Sequence, residues 1–338
     1  MRKRLLSGMR PTGPLHLGHL FGALHNWVKL QKDHDCFYMV ADWHALMSEY
    51  ENPAQLRKNA YEMVKDWVAC GIDPVASVVF VQSEVPEHLE LAMVFSIITP
   101  LAWLERCPTY KEQLKELKGR DITTYGFLGY PVLQAADIAV YRANAVPVGV
   151  DQLPHIELTR EIIRRFHYLY RKEIFPEPEG LLTPVPKLLG LDNRKMSKSY
   201  DNYVALADTP DAVRKKVAQM ITDPQRIKLQ DRGHPDICNV FSYYKVFTDE
   251  KVTAEVRDWC THAKKGCTAC KQNLADTIIE FLRPIQTKRS KIRHADVDDI
   301  LKDGNRRAQA VAAETMRTTR ELIGLVKRGT PVNPALPE

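Results

Sequence analysis

At 338 residues, with 44% hydrophobic and 27% charged residues, the chain has a globular composition and room for about two domains on the usual ~100–200 residues each. No apolar run reaches the roughly 18 residues of a membrane span, and the basic amino terminus MRKRLLSG carries too short an apolar stretch for a secretory signal, so a cytoplasmic protein with no membrane partner is expected. The net charge of +6 permits a polyanionic partner without demanding one, and TYKEQLKELKGR, RRFHYLYRK and RPIQTKRSKIR each read most simply as solvated helix faces.

In chain order, KRLLSG reads as a strand and residues 17–30 as a helix. CFYMVADWHA is a second strand and 54–70 a second helix; GIDP then breaks the chain before a third strand, VASVVFVQ. Near-continuous apolar strands alternating with amphipathic helices predict an α/β fold with a doubly wound parallel sheet. Residues 87–119 read as a helical insertion between two halves of that sheet. The alternation resumes with a helix around 132–141, the strand AVPVGV and a helix over 152–170. A Pro-rich segment, FPEPEGLLTPVPKLLG, and a Lys-rich loop at 192–202 follow, and from about residue 209 the periodicity is helical. The expected organisation is an α/β domain over 1–204 and an all-α domain over 205–338, closing on a loose tail, GTPVNPALPE.

Two motifs carry chemistry. Pro11-Thr12-Gly13-Pro14-Leu15-His16-Leu17-Gly18-His19 follows the first strand and opens the first helix, where unpaired N–H groups and a partial positive charge suit a phosphate. His16 and His19 lie one helical turn apart and can reach one ligand; Gly18 admits a close backbone approach. Read alone, the pair could equally cap the helix. Lys195-Met196-Ser197-Lys198-Ser199 places two lysines three apart on a polar loop, where they could neutralise a leaving pyrophosphate; as an isolated pentapeptide it could be a solvated turn. The Walker pattern GxxxxGK[ST] is absent, which disfavours a P-loop kinase. Among seven cysteines, Cys36, Cys70 and Cys107 read as small core residues. Cys238, Cys260, Cys267 and Cys270 form C-x21-C-x6-C-x2-C, a thiolate set that suits Zn²⁺ or a [4Fe–4S] cluster.

HLGH and KMSKS, in this order and context, resemble the paired HIGH and KMSKS signatures of the class I aminoacyl-tRNA synthetases. GIDP, FVQSEVPEH, YPVLQAADI and VPVGVDQLPHIELTR narrow the resemblance to the bacterial tryptophanyl-tRNA synthetases, over essentially the whole chain. The resemblance implies a Rossmann-type catalytic domain, an anticodon-binding helical domain, a homodimer, and ATP, Mg²⁺, L-tryptophan and tRNA(Trp) as ligands. It implies a catalytic role for His16, His19, Lys195 and Lys198. The ATP site would comprise these four with Arg10, Thr12, Gly18, Met196 and Ser197, and Gly149 and Asp151 would match ribose-binding positions. For tryptophan, Asp137 would accept the indole N–H and Gln152 would contact the ammonium. Leu6, Gly8, His44, Tyr130, Gln134, Val146 and Val148 would line the pocket, His44 from the second strand. Tyr130, Gln134 and Asp137 share a helix face at i, i+4, i+7. Arg10 departs from family members with glutamine there. The cysteine spacing is similar to a subgroup carrying an iron–sulfur cluster, with zinc as the alternative. The rivals are a tyrosyl-tRNA synthetase, a small-molecule adenylyltransferase with an HxGH helix start, and a silent RNA-binding paralogue.

Overall fold

The computed structural model describes residues 2–108, 123–182 and 188–325. Five strands, β1 (Arg4–Met9), β2 (Asp35–Val40), β3 (Val78–Val81), β4 (Ala145–Val148) and β5 (Glu179–Leu182), pair in parallel in the order β3-β2-β1-β4-β5. Helix α1 joins Leu17–His19, a π-helical turn Leu20–Leu24 and His25–Leu30. The other helices of this half are α2 (Asp42–Glu49), α3 (Leu56–Ala69), α4 (Glu87–Ile98), α5 (Leu101–Glu105), α6 (Tyr125–Val140) and α7 (Leu153–Tyr170). After β5 the chain is helical: α8 (Pro210–Ala218), α9 (Asn239–Phe247), α10 (Glu250–Thr261), α11 (Cys267–Lys291) and α12 (His294–Ile323).

The central strands β2 and β3 and the middle of β1 are apolar because both faces of the sheet are covered there. Leu5, Cys36, Tyr38, Val40 and Val79 point into one core with α1, α3, α9 and α11; Leu6, Phe37, Met39, Val78 and Phe80 point into the other with α4, α6, α7 and part of α12. In the first core the Trp27 ring stacks on Tyr38 at 4.5 Å, and the Tyr38 hydroxyl donates to the Trp27 carbonyl at 2.8 Å. The α/β fold with a doubly wound parallel sheet and a helical carboxyl-terminal region is the one expected.

Three elements differ from the sequence reading. The second strand stops at Val40, and Asp42 opens α2, its carboxylate accepting the backbone N–H of Trp43 and Ser83 at 3.1 and 3.0 Å. An acidic residue at a helix start favours that break, so His44 sits on a helix rather than a strand. Helix α6 begins at Tyr125, capped by the Thr124 hydroxyl, and runs through Pro131. The Pro-rich segment contributes β5, at the sheet edge, where proline neighbours are tolerated. Of the expected insertion, 87–98 and 101–105 are helical; residues 109–119 lie outside the described residues, as does the tail GTPVNPALPE.

The last helix crosses back over the expected boundary at residue 204 to cover the β3 edge. A Cβ on Gly304 would lie 1.7 Å from the Val79 carbonyl oxygen, so only glycine allows the approach. Asn305 Oδ1 then accepts the Val81 N–H at 2.9 Å, and Arg307 donates to the Pro74 and Ser77 carbonyls. An otherwise open strand edge is thereby closed within the chain. Arg320 pairs with Glu90 on α4, and from α11 Arg289 pairs with Asp66 and Glu62 on α3.

Candidate active site

In an open parallel sheet the ligand crevice lies beyond the carboxyl ends of the strands, where the strand order reverses. Here that point is between β1 and β4, and a cavity of about 430 Å³ opens there, lined by Gly8 to Arg10 at the end of β1 and Gly149 after β4. The nine residues expected to bind the amino acid (Leu6, Gly8, His44, Tyr130, Gln134, Asp137, Val146, Val148 and Gln152) all line this cavity. Arg10 and Gly149 line it too; Asp151 is exposed and takes a hydrogen bond from Gln152 Nε2 at 2.9 Å. A Cβ on Gly149 would meet Asp151 Oδ1 at 2.5 Å, so the absence of a side chain there sets that carboxylate's position.

The start of α1 fixes two imidazoles in one tautomer. His16 Nδ1 accepts from the Gly18 N–H at 3.1 Å, and His19 Nδ1 accepts from the His16 N–H at 3.2 Å. With Nδ1 committed as acceptor, each neutral ring keeps its proton on Nε2, available to donate. Burial first, and the Lys198 charge second, lower His16 to about 4. Burial, His16 and Lys198 push His19 well below its usual value. Both rings are therefore neutral donors at neutral pH. A Cβ on Gly18 would meet the His16 ring at 2.9 Å, so the glycine is needed for that ring's placement as well as for any ligand. The π-helical turn follows at once, an irregularity frequent beside functional sites.

The lysine loop is held against this helix start. Leu17 N–H donates to the Val204 carbonyl and Leu206 N–H to the Leu15 carbonyl, an antiparallel bridge centred on His16 and Ala205. Buried Asn202 organises the loop. Its Nδ2 donates to Asp192 Oδ1 at 2.7 Å and to the Lys195 carbonyl at 3.1 Å, while its Oδ1 accepts the Ser197 N–H at 2.9 Å. Lys198 lays its stem against Gly13, whose φ is +138°, and its ammonium donates to the Gly13 carbonyl at 3.1 Å and to Thr12 Oγ1 at 3.4 Å. Burial, then the Arg10 charge, lowers Lys198 to about 8. Met196 is buried near Gly18, and Lys195 is exposed.

Inside the cavity Asp137 is a buried carboxylate with three donors: His44 Nε2 at 2.8 Å, His88 Nδ1 at 2.6 Å and Gln82 Nε2 at 2.9 Å. Burial pushes its carboxyl up, but the bonds and charges of His44 and His88 outweigh that and hold it at about 2. On the far side the Tyr130 hydroxyl lies 3.0 Å from His155 Nε2, with Cys107 Sγ 3.6 Å from His155 Nδ1. Burial lowers His155 to about 4. Sequence reasoning gave no role to Asn202, Gln82, His88 or His155 and placed Cys107 in the core. Their only signal was polar residue type, since burial cannot be read from spacing.

Far from this cavity, Cys238 at the start of α9, Cys260 in α10, and Cys267 and Cys270 in the first turn of α11 line one small cavity with Arg226 and Lys265. All four are free thiols. Among the described residues no group of three or more His, Cys, Asp or Glu is arranged to hold a metal ion as it stands.

The profile of the family "tRNA synthetases class I (W and Y)" matches residues 2–283. The tryptophan–tRNA ligase of Thermotoga maritima is 50% identical over 96% of this chain and 99% of its own length. That of Aquifex aeolicus is 43% identical over 95% of this chain and 100% of its own. Among solved structures, the tryptophanyl-tRNA synthetase of Campylobacter jejuni, complexed with ADP and tryptophan, superposes with a TM-score of 0.87 at 32% identity, covering 95% of this chain and 100% of that one.

Proposed function

The chain belongs to the class I tRNA synthetases of the tryptophan and tyrosine group, and from that premise we propose that it activates L-tryptophan with ATP and transfers it to tRNA(Trp). Beside its near-full-length relatives, the observation that carries the reading is Asp137, an ionised carboxylate in a cavity otherwise lined largely by apolar and neutral groups. A buried acceptor of this kind, with a lone-pair site left beside its three protein donors, pairs with an indole N–H there, and phenylalanine leaves that site empty. ATP–pyrophosphate exchange across the twenty amino acids tests it. Exchange with tryptophan is expected; exchange driven by tyrosine instead would overturn the reading.

The chemistry needs no general base, because the tryptophan carboxylate is ionised at neutral pH and attacks the α-phosphorus directly, breaking its bond to the pyrophosphate oxygen. Catalysis is then positioning and charge stabilisation. His16 and His19, neutral and with the proton on Nε2, donate to the ATP phosphates without adding fixed charge. Lys198, with Lys195, takes up charge on the leaving pyrophosphate, which departs with the nucleotide's Mg²⁺. Arg10, Thr12, Gly18, Met196 and Ser197 complete the nucleotide's surroundings, Gly149 and Asp151 hold the ribose and Gln152 the substrate ammonium. In the second step the terminal ribose hydroxyl of tRNA(Trp) attacks the adenylate carbonyl and AMP leaves.

The helical region after residue 204 receives the anticodon, and the reaction belongs in the cytoplasm with its tRNA. No helix among the described residues is long and apolar enough to cross a membrane. A homodimer is supported by Leu89, Met93 and Ile97 of α4, which with Leu101 form an exposed apolar stripe at four-residue spacing, Ile97 being 71% exposed. Cys238, Cys260, Cys267 and Cys270 hold a [4Fe–4S] cluster, zinc being the alternative. Their chemistry suits such a group, four thiols free of disulfides around one cavity with the Arg226 charge beside Cys260, although as they stand they are not arranged to hold a metal ion. Such a group supplies a covalent tie between α9, α10 and α11. Protein purified without oxygen is expected to be brown, with about four irons per chain. Cys267→Ser should remove the iron and weaken tRNA charging more than pyrophosphate exchange. Colourless protein with one zinc per chain would overturn the iron assignment, and metal-free protein both.

A further inference from the structure

We propose that His88 is a positioning residue for tryptophan recognition: with Gln82 it saturates one oxygen of Asp137 and so assigns the indole N–H to the other. The inference rests on the reading of Asp137 as the indole acceptor and goes beyond it, because neither His88 nor Gln82 lines the cavity.

An ionised carboxylate offers about four lone-pair sites, two on each oxygen. Oδ1 of Asp137 receives His88 Nδ1 at 2.6 Å and Gln82 Nε2 at 2.9 Å, which fills it. Among the described residues Oδ2 receives only His44 Nε2, at 2.8 Å, which leaves one site for a ligand in the cavity that Asp137 lines.

The proton on His88 is directed by its partners. Asp137 only accepts, so Nδ1 of His88 carries a proton, and in the neutral ring Nε2 is then the acceptor for the Tyr141 hydroxyl, 2.7 Å away. The chain of donors runs one way, from Tyr141 through His88 into Asp137. Its members are packed so that they cannot swing: His88 and Tyr141 are fully buried, and Phe80 stacks on the imidazole at 5.9 Å. A second observation points the same way. Gln82 Oε1 is buried without a hydrogen-bond partner among the described residues. An amide flip would turn an oxygen toward the carboxylate. An unpaired buried carbonyl is tolerated where the opposite end of the amide is committed to a task, here the second donor to Oδ1.

The probe is the thia analogue of tryptophan, in which sulfur replaces the indole N–H. Wild type is expected to prefer tryptophan to this analogue in pyrophosphate exchange by roughly 10²-fold or more. His88→Leu should compress that preference to about 10-fold or less by raising the tryptophan KM, with the ATP KM unchanged, since losing a hydrogen bond to a charged group costs about this much. His88→Asn, whose amide nitrogen can stand where Nδ1 stood, should restore most of the preference. If His88→Leu does not fold, Tyr141→Phe keeps the shape, removes the last donor of the chain, and should shift the ratio a few-fold in the same direction.

A preference unchanged in these variants, or an equal loss for both substrates, would overturn the proposal and leave His88 a packing residue. Failure of the underlying readings is distinguishable in wild type. Absence of tryptophan-dependent exchange would overturn the function, and equal use of both substrates would overturn the role of Asp137 and with it that of His88.

Discussion

Lys198→Ala is expected to slow tryptophan-dependent pyrophosphate exchange by roughly 10²–10³-fold, the range for removing one donor that acts as charge develops. Lys195→Ala should do the same, although the two start differently: Lys198 is seated on Gly13 and Thr12, and Lys195 is exposed. Tryptophan affinity measured without ATP should barely change in either. Weakened tryptophan binding with an unchanged exchange rate would remove both from the pyrophosphate. The pH dependence separates them further. Lys198 is lowered to about 8 by burial and Arg10, and its useful form is the ammonium, present below that pH and lost as pH rises through it. The kcat/KM for ATP should therefore fall above about pH 8. Lys198→Arg, which stays charged, should shift that decline upward.

Asp137→Ala is expected to lower kcat/KM for tryptophan by roughly 10–10²-fold, the value of a hydrogen bond to a charged acceptor, while leaving phenylalanine almost unaffected. The selectivity for tryptophan contracts because its preferred partner is gone. The same change leaves His44 Nε2, His88 Nδ1 and Gln82 Nε2 without their acceptor, at a cost of about 1–3 kcal/mol for each group that finds no substitute. Thermal unfolding should therefore shift down alongside the kinetics. An Asp137 variant that discriminates tryptophan from tyrosine and phenylalanine as well as wild type would take Asp137 out of recognition.

The parts of this molecule that were legible in the sequence are those written in periodicity and contiguous motif. KRLLSG and CFYMVADWHA announced buried parallel strands, the second carried too far, and HLGH after the first of them placed the helix start. Less legible was what tertiary contact decides. The acidic residue in ADWHA is a weak local signal for a helix start over a strand end; the bond from Ser83 N–H to Asp42, 41 positions away, settles it. Likewise Asn202 reads as one more polar residue of a Lys-rich loop until its three bonds to that loop are seen. His88 and Gln82 stand in a stretch quoted for its resemblance, yet their role depends on facing Asp137 from another helix, which no spacing records. The four cysteines were legible as a set because their side chain has few other reasons to cluster; their convergence on one cavity depends on how α9, α10 and α11 pack.

The helix that closes the β3 edge has a consequence for the order of synthesis. Strands β1 to β3 leave the ribosome early, but the groups that satisfy the outer side of β3, Asn305 and Arg307, are made more than 220 residues after Val81 and Ser77. For most of translation the nascent sheet therefore carries an unsealed margin, the kind of surface that recruits other strands and chaperones. The final helix thus acts as a late clasp. Because Gly304 must slide against the Val79 backbone to fasten it, a polypeptide stalled before that residue is exposed to rescue or degradation even with its catalytic motifs already in place.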